Sequence, residues 1–419
     1  MLFTLVLLYT VLLILRPQDF VPALFEVPIL QFMLIAGCFL WLFGSRKHLE
    51  YPQYLLLPAL VVLYVVSRGV NGWWGGGVQS LELTLPPLLY MGLLAQSVRS
   101  LPRFRIYIVV VTLCAALLVY HGVQQVQYGA GWTGQVMILE RIRYIGILGD
   151  PNDLGLLFVI AICLCGYLLA EWRNLPARLL VTAAIAWLGY GLYLTQSRGA
   201  LLSLIATVGL VIWQRFGRVS VGLLGTALVP SLWAATRLST ISTAESSAEG
   251  RVDAWYTAID LFRSSPVFGV GLHNFIDYHE VTAHNSIVLP LAELGFTGYF
   301  VWLGIVAASG YMVYLLGFRS TPMEVTEPAM RRRQQAEIRA GRALAWTMFG
   351  FAIGAFFLSQ SYKFMLFTLC GLAMARFAFA SEVLVLPELR LRDYWKQWLL
   401  LAVGLIGFMW LTVKLLLSF

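Results

Sequence analysis

Charged side chains are scarce in this chain of 419 residues: Asp, Glu, Lys and Arg make up only 12% of it, against about a quarter in soluble domains. Hydrophobic residues make up 59%, and the mean hydropathy is +0.78. The short alternating segments of a transmembrane β-barrel are missing, whereas long apolar runs recur. Because a helix satisfies its own backbone hydrogen bonds in lipid, the composition predicts an all-α, polytopic membrane helix bundle.

Other absences exclude several functions. The five cysteines lie singly in apolar runs, without disulfide or metal-ligand spacing. No P-loop or Rossmann fingerprint is present, so no nucleotide or other cofactor is expected. The net charge of +8 is explained by basic cytoplasmic loops rather than by nucleic-acid binding. We therefore predict no metal, no cofactor and no nucleic-acid partner.

The apolar runs predict a single integral membrane domain over residues 1–419, with 12–13 transmembrane helices. The first run lacks a basic flank and a cleavage site, which favours a retained span over a cleaved signal. The predicted spans are 1–15, 27–44, 53–69, 81–97, 106–122, 153–170, 179–196, 199–214, 219–235, 285–317, 342–358, 364–380 and 398–417.

Alternate loops differ in charge. One set holds 19 of the 29 basic residues: Arg46, Lys47, Arg99, Arg103, Arg105, Arg173, Arg178, Arg215, Arg218, Arg319, Arg331, Arg332, Arg333, Arg339, Arg342, Arg376, Arg390, Arg392 and Lys396. The positive-inside rule places these loops and the N-terminus in the cytoplasm. The basic cytoplasmic loop 318–341 is predicted to be amphipathic, with arginines that contact membrane lipid headgroups.

The opposite side carries the long loops and ten basic residues that the rule disfavours there. These are Arg16, Arg68, Arg141, Arg143, Arg198, Arg237, Arg251, Arg263, Lys363 and Lys414. Some are expected to extend toward the membrane interface, but a group that converges in space would form an anion site. The functional face is therefore predicted to be outside, which in a Gram-negative cell is the periplasmic side of the inner membrane.

The loop 236–284 is the longest polar segment, and we predict that it holds the active site. Ser246, Ser247 and Gly250 are helix-start signals, and apolar residues from Val252 onward repeat at helical spacing. Arg251 would then lie at a helix N-terminus, where backbone N–H groups and a guanidinium favour phosphate. The alternative is a surface arginine paired with a neighbouring acid.

Two further residues carry functional hypotheses. His284 lies at the outer mouth of a predicted span. An imidazole, with an unperturbed pKa of about 6.5, can act as a base. The alternative is an ordinary interfacial histidine; a zinc site is disfavoured because the loop histidines share no helical face. Arg198 lies at a tight turn between two spans, where it either meets an anion or extends toward the headgroups.

Several short motifs occur in a fixed order. They are Thr195–Ala200 (TQSRGA), Gly250–Arg251 with Trp255, Phe268–Gly271 (FGVG) with Asn274, Ala283–Ser286 (AHNS) and Leu291–Gly295 (LAELG). Together they resemble the O-antigen ligase and O-antigen polymerase superfamily of bacterial membrane glycosyltransferases, over roughly residues 150–300. The resemblance implies a GT-C-like bundle of about a dozen spans, with a periplasmic active site under a long loop.

The resemblance also implies roles for individual residues. Arg198 and Arg251 match the arginines that would hold the diphosphate of an undecaprenyl-diphosphate-linked glycan donor. His284 matches the proposed base on the acceptor hydroxyl. The supporting positions are Asn285, Trp255 and Glu293. The acceptor would be a glycan or a lipid-linked glycan, and the enzyme could work within an envelope polysaccharide assembly complex.

Within this superfamily the sequence favours an O-antigen or exopolysaccharide polymerase, because the loop 236–284 is compact for a ligase and Arg16–Phe20 (RPQDF) is similar to members found with exopolysaccharide synthesis. An O-antigen ligase that transfers glycan to lipid A core, or a protein O-oligosaccharyltransferase, is the alternative. Outside the enzyme class, a small-anion (bicarbonate) transporter and a non-catalytic assembly subunit remain alternative functions.

Trp255 and Tyr256 are candidates for sugar stacking, with interfacial anchoring as the alternative for the tryptophan.

Overall fold

The computed structural model describes residues 1–44, 47–217 and 246–417, and the predicted all-α class is confirmed. Its helices are α1 Leu2–Leu15, α2 Ile29–Leu42, α3 Pro52–Gly69, α4 Trp74–Gln79, α5 Leu81–Ser97, α6 Leu101–Tyr128, α7 Pro151–Glu171, α8 Leu175–Thr195, α9 Arg198–Phe216, α10 Ser246–Ser264, α11 Val288–Tyr314, α12 Pro328–Ala355, α13 Phe364–Ala380 and α14 Leu391–Leu416. Two-residue strands, β1 Thr321–Pro322 and β2 Leu384–Val385, pair antiparallel.

Seven described helices are long and apolar enough to cross a membrane: α3, α6, α7, α8, α9, α11 with the turn that follows it, and α14. Three shorter apolar helices, α1, α2 and α13, accompany them. The chain is therefore a multi-pass membrane protein. Twelve of the thirteen predicted spans coincide with a helix, and the span predicted at 219–235 lies outside the described residues.

The helices differ strongly in burial, which shows where the core lies. In the most apolar stretch of α7, 72% of residues are buried inside the protein, against 17% for α9 and for α14. Nearly every residue of α13 is buried as well. The helices α7 and α13 therefore form the centre of the bundle, and α9 and α14 present apolar side chains to the outside, as lipid-facing helices do.

The loops meet at two ends of the bundle, as their charges predict. At one end, which we call the inner end, Glu171 bonds both Arg105 (2.6 Å) and Arg339 (2.5 Å). At the other, the outer end, the Tyr144 hydroxyl donates to the Leu15 carbonyl (2.5 Å). Residues from the predicted cytoplasmic loops thus contact each other, and so do residues from the predicted outer loops.

Two predictions for the inner end need correction. Arg376 is not on a loop surface: it is fully buried on α13, where it bonds Glu337 (3.1 Å from Nε to Oε2) and the Val98 carbonyl (3.1 Å). The segment 318–341 is not one loop either, because α12 begins at Pro328 and continues into the following predicted span. Its small and buried residues repeat at helical spacing, so the basic half of α12 packs on the bundle.

The long apolar run at 285–317 is explained by a break in α11. Gly295 has φ 61 and ψ −168, a conformation that is almost restricted to glycine. The backbone groups freed by the break are satisfied by the preceding loop: Phe296 N–H donates to the Pro266 carbonyl (2.7 Å), and Val270 N–H donates to the Ala292 carbonyl (3.0 Å). The loop is therefore built into the helix break, which lies within two turns of the outer end.

Two glycines make this contact possible. A Cβ atom at Gly295 would lie 2.5 Å from the Gly269 amide nitrogen, and one at Gly269 would lie 2.4 Å from the Glu293 carbonyl carbon. The FGVG and LAELG motifs are thus packing partners, and their glycines are needed for close backbone approach.

We predict that Gly295→Ala lowers the stability of the protein by about 1–3 kcal/mol from backbone strain alone, with the steric clash adding to it. The thermal unfolding midpoint of the detergent-solubilised protein measures the loss. Gly310→Ala is the matched control on the same helix, since a Cβ there meets open space. Equal unfolding midpoints for Gly295→Ala and wild type would contradict the account of the break.

Candidate active site at the outer end of the bundle

His284 lies on a short loop that is bonded to the bundle on both sides. The Thr282 hydroxyl is hydrogen-bonded to the Ser359 hydroxyl (2.8 Å), and the Ser286 hydroxyl donates to the Leu358 carbonyl (2.6 Å). Between these anchors His284 takes a left-handed conformation, with φ 46. Non-glycine residues are held in this conformation only where the surroundings enforce it, and such positions cluster at functional sites.

Trp255 joins the helix of Arg251 to this loop. Its indole N–H donates to the Ala283 carbonyl (3.0 Å), directly before His284, and its ring packs edge-on against Phe356. Trp255 is only 5% exposed, so its ring is not available to stack on a sugar. Because Arg251 lies one helical turn before Trp255, this contact brings Arg251 to the side of His284.

The structure corrects the position of Arg251 within its helix. The helix α10 begins at Ser246, so the first free N–H groups belong to residues before Arg251, which lies in the second turn. The buried face of α10 includes Ala254, Ala258 and Leu261, and it packs against α11 and α14. The helix therefore lies on the bundle rather than on the membrane surface.

Arg198, by contrast, is the first residue of its helix, α9. The Ser197 hydroxyl caps the helix by accepting from the Ala200 N–H (3.3 Å), and Gln196 before it is left-handed, with φ 47. The uncapped N–H groups and the helix dipole therefore favour an anion at this point. The start of α9 packs near the contact of Trp255. A Cβ at Gly199 would lie 3.6 Å from the Phe357 Cβ, and Trp255 contacts the ring of the preceding residue, Phe356.

Asn285 has a structural role. Its side-chain oxygen accepts from the N–H groups of Ile287 (2.7 Å) and Val288 (3.2 Å), and the residue is fully buried. It thereby caps the start of α11. Asn285 supports His284 by fixing the helix that follows it.

Glu293 contacts the loop that precedes His284. It is 3% exposed, and one carboxylate oxygen accepts from the Phe275 N–H (3.4 Å). Its other neighbours include His273 and Tyr362. Burial, followed by the charge of Arg68, lowers the pKa of His273 to about 4. Glu293 therefore supports the loop that fills the helix break.

A polar group that sequence reasoning missed lies at the start of α7. The Asn152 side-chain oxygen accepts from the Ser197 hydroxyl (2.8 Å) and from Arg141 (2.7 Å), and Arg141 also bonds the Thr195 carbonyl (2.9 Å). These bonds fix the turn that carries Arg198. The one available signal was the polar DPND sequence at the start of an apolar run, a helix-start pattern.

The same helix start reaches the loop of His284. Asp153 is buried and accepts from the Gln360 amide and from the Lys363 ammonium. The Gln360 backbone N–H donates in turn to the Ser286 hydroxyl (2.8 Å). The turn of Arg198 is thus connected to the loop of His284. The connection runs from Ser197 to Asn152, through the adjacent Asp153 to Gln360, and from Gln360 to Ser286.

Burial and the surrounding charges both act on the pKa of His284. Burial lowers the pKa of His284 from 6.5, and the positive charge of Arg251 lowers it further. Asp150 raises it, whereas Lys363 and His279 lower it. The imidazole is therefore predominantly neutral at pH 7, which is the form that accepts a proton.

Most of the other outer cations have structural partners. Arg16 bonds Asp19 (2.5 Å), Arg68 bonds Asn274 (3.0 Å), and Arg143 bonds the Val136 carbonyl (3.0 Å). Arg263 is exposed near the far end of α10, Lys414 is exposed beside Trp410, and Arg237 lies outside the described residues. Arg198, Arg251 and Lys363 differ from these because they come from three segments that meet around the His284 loop.

The fold and this geometry define a class: a multi-pass membrane protein with a cationic site and a neutral histidine at one end of the bundle. Residues 183–303 match the family model O-Antigen ligase, and this segment contains Arg198, Arg251 and His284. A search of curated proteins found no match. The resemblance to the O-antigen ligase and polymerase superfamily, a family of glycan-transferring enzymes, is confirmed over this segment.

We predict that the midpoint for modification of His284 by diethylpyrocarbonate, which reacts with neutral imidazole, lies below pH 6.5. Arg251→Gln removes a positive charge that opposes protonation, so the midpoint should rise. Mass spectrometry of the modified peptide over a pH series measures both values. A midpoint that does not move in Arg251→Gln would show that the two side chains are too far apart to interact.

Proposed function

We propose that this protein transfers an undecaprenyl-diphosphate-linked glycan to a sugar hydroxyl at the periplasmic face of the bacterial inner membrane, without a metal ion. The proposal is supported by contacts that join the segments of Arg198, Arg251 and His284 at one end of the bundle: Trp255 bonds the Ala283 carbonyl, Ser197 bonds Asn152, and Gln360 bonds both Asp153 and Ser286. Two guanidinium groups suit a diphosphate, and a neutral imidazole suits a hydroxyl that must lose its proton.

The proposed reaction is a single displacement. His284 accepts the proton of the acceptor hydroxyl as its oxygen attacks the anomeric carbon of the donor sugar. The bond from that carbon to the diphosphate oxygen breaks, and the diphosphate leaves with the electron pair. The anomeric centre is inverted. Because the leaving group is already activated, no nucleotide is required.

Charge develops on the departing diphosphate, and the protein must balance it. Arg198 and Arg251 are placed to do so, and the N–H groups at the start of α9 add to the effect. The helices that carry the two arginines are fixed before substrate binds, because Ser197 caps α9 and Trp255 of α10 bonds the Ala283 carbonyl. The arrangement can therefore do with fixed cations what Mg²⁺ does in many phosphate-handling enzymes.

Within this reaction class we favour a polymerase of O-antigen or exopolysaccharide. Of the loop 236–284, the structure describes residues 246–284, which form α10, a segment bonded into the helix break and a 3-10 turn at Phe275–Asp277. The preference for a polymerase rests on the sequence, in which this loop is compact for a ligase. A ligase to lipid A core and a protein O-oligosaccharyltransferase use the same chemistry with another acceptor.

The break in α11 favours a second candidate, a small-anion transporter, because transporters often bind substrate at broken helices. In transporters such breaks lie near the middle of the membrane and line a cavity. The break at Gly295 lies near the outer end and is filled by the backbone around Gly269. The geometry therefore supports the glycan-transfer proposal better.

We predict that Arg198→Ala, Arg251→Ala and His284→Ala each abolish formation of the glycan product while the protein remains in the membrane. Arg251→Lys should also fail, because an ammonium lacks the two-pronged donor geometry of a guanidinium. Arg263→Ala is the control, since Arg263 is an exposed arginine on the same helix. Normal glycan product in all three alanine variants would refute the proposed function.

Surface glycan from a deletion strain tests the choice among acceptors. A polymerase predicts loss of long chains with single repeats retained, because the repeat units are still made but not joined. A ligase predicts long chains that accumulate on the carrier lipid. Gel separation of the glycans, with the wild-type gene restored as control, distinguishes the two outcomes.

A further inference from the structure

Lys363 lies on the segment that braces the loop of His284. Two residues before it, the Ser361 hydroxyl donates to the Ser286 carbonyl (3.0 Å), and Ser286 lies two residues after His284. Lys363 immediately precedes α13, one of the two central helices. Its backbone is therefore fixed relative to His284 by the same contacts that hold the loop.

The side chain of Lys363 is also fixed, by an acid of a different helix. Its ammonium bonds Asp153, whose side chain is only 6% exposed, whereas that of Lys363 is 39% exposed. Gln360 donates to the other oxygen of Asp153. The carboxylate thus faces inward with both oxygens used, and the ammonium, which has three donors, remains accessible from the outer solution.

A purely structural role does not explain the ion pair of Lys363 and Asp153. A lysine at the outer end is disfavoured by the positive-inside rule, and a buried carboxylate costs desolvation that neutral partners would avoid. The charge is also close enough to His284 to oppose its protonation, as that of Arg251 is. Lys363 and Arg251, a residue that we assign to the donor, therefore both lie within electrostatic range of His284.

We propose that Lys363 is a third cation of the donor site, held in place by Asp153, and that it binds the diphosphate as it leaves. The inference rests on the proposed function. A lipid-diphosphate-sugar carries two negative charges, which two arginines match, and the departing lipid diphosphate carries a third. An ammonium is a compact point charge that suits a phosphate oxygen.

The test uses the full-length protein in detergent, with farnesyl diphosphate as the probe and farnesyl monophosphate for comparison. Lys363→Met should weaken farnesyl diphosphate binding by roughly tenfold to a hundredfold, the range for a lost charge-assisted hydrogen bond. Binding of the monophosphate should change much less. Lys414→Met, an exposed lysine at the outer end of α14, is the matched control.

Lys363→Met also leaves Asp153 without its ion-pair partner, and an uncompensated buried charge could unfold the site. The double variant Asp153→Asn with Lys363→Met removes both charges. If Lys363 binds the diphosphate, the double variant folds with the wild-type unfolding midpoint and still binds the probe weakly. If the pair is only a structural link, the double variant recovers wild-type affinity, which would overturn the inference.

The same measurements separate this inference from the proposed function. Wild-type protein that binds no farnesyl diphosphate would overturn both. Wild-type binding that is lost in Arg251→Ala but kept in the double variant would overturn the role of Lys363 alone. In glycan transfer, Lys363→Met should lower kcat more than it raises the KM for the donor, because the third charge appears only as the bond breaks.

Discussion

The hydrogen bonds of Ser286 are the constraint on which the site depends. Its backbone N–H, hydroxyl and carbonyl bond to Ala355, the last residue of α12, and to Leu358, Gln360 and Ser361, on the segment between α12 and α13. They fix the loop of His284 to the centre of the bundle. Because Gln360 also bonds Asp153 on α7, the position of the histidine is coupled to the helix start that orients the turn of Arg198.

The motif residues divide into two groups by what they contact. In the first group, the side chains bond backbone groups. Ser197 and Asn285 accept from N–H groups at helix starts, and the Trp255 indole donates to the Ala283 carbonyl. Arg198 and His284 are adjacent to Ser197 and Asn285 in the chain, Arg251 lies one helical turn before Trp255, and all three keep partial exposure at the outer end. The first group fixes the backbone around the candidate site, and in the proposed reaction the second group supplies charge and a proton acceptor. Such a division gives preorganisation, which is where electrostatic catalysis gains its effect.

Sequence alone could predict the fold class, the positions of the spans and the two ends of the bundle, because apolar length and loop charge report directly on the membrane. It could also select candidate site residues, because the short motifs that carry them are continuous in the chain, and the roles of these residues stay predictions. It could not find the pair of Asp153 and Lys363, which are far apart in sequence and meet only through packing. It also misplaced Arg251 at a helix start, because serines at 246–247 and glycine at 250 are all start signals and only packing selects among them.

An experimental structure of the protein with a bound polyprenyl diphosphate tests the central claim most directly. The account predicts that the two phosphates lie at the outer end between Arg198 and Arg251, with the His284 imidazole facing the position of the acceptor hydroxyl. A diphosphate bound elsewhere, or a His284 side chain turned away from it, would contradict the account.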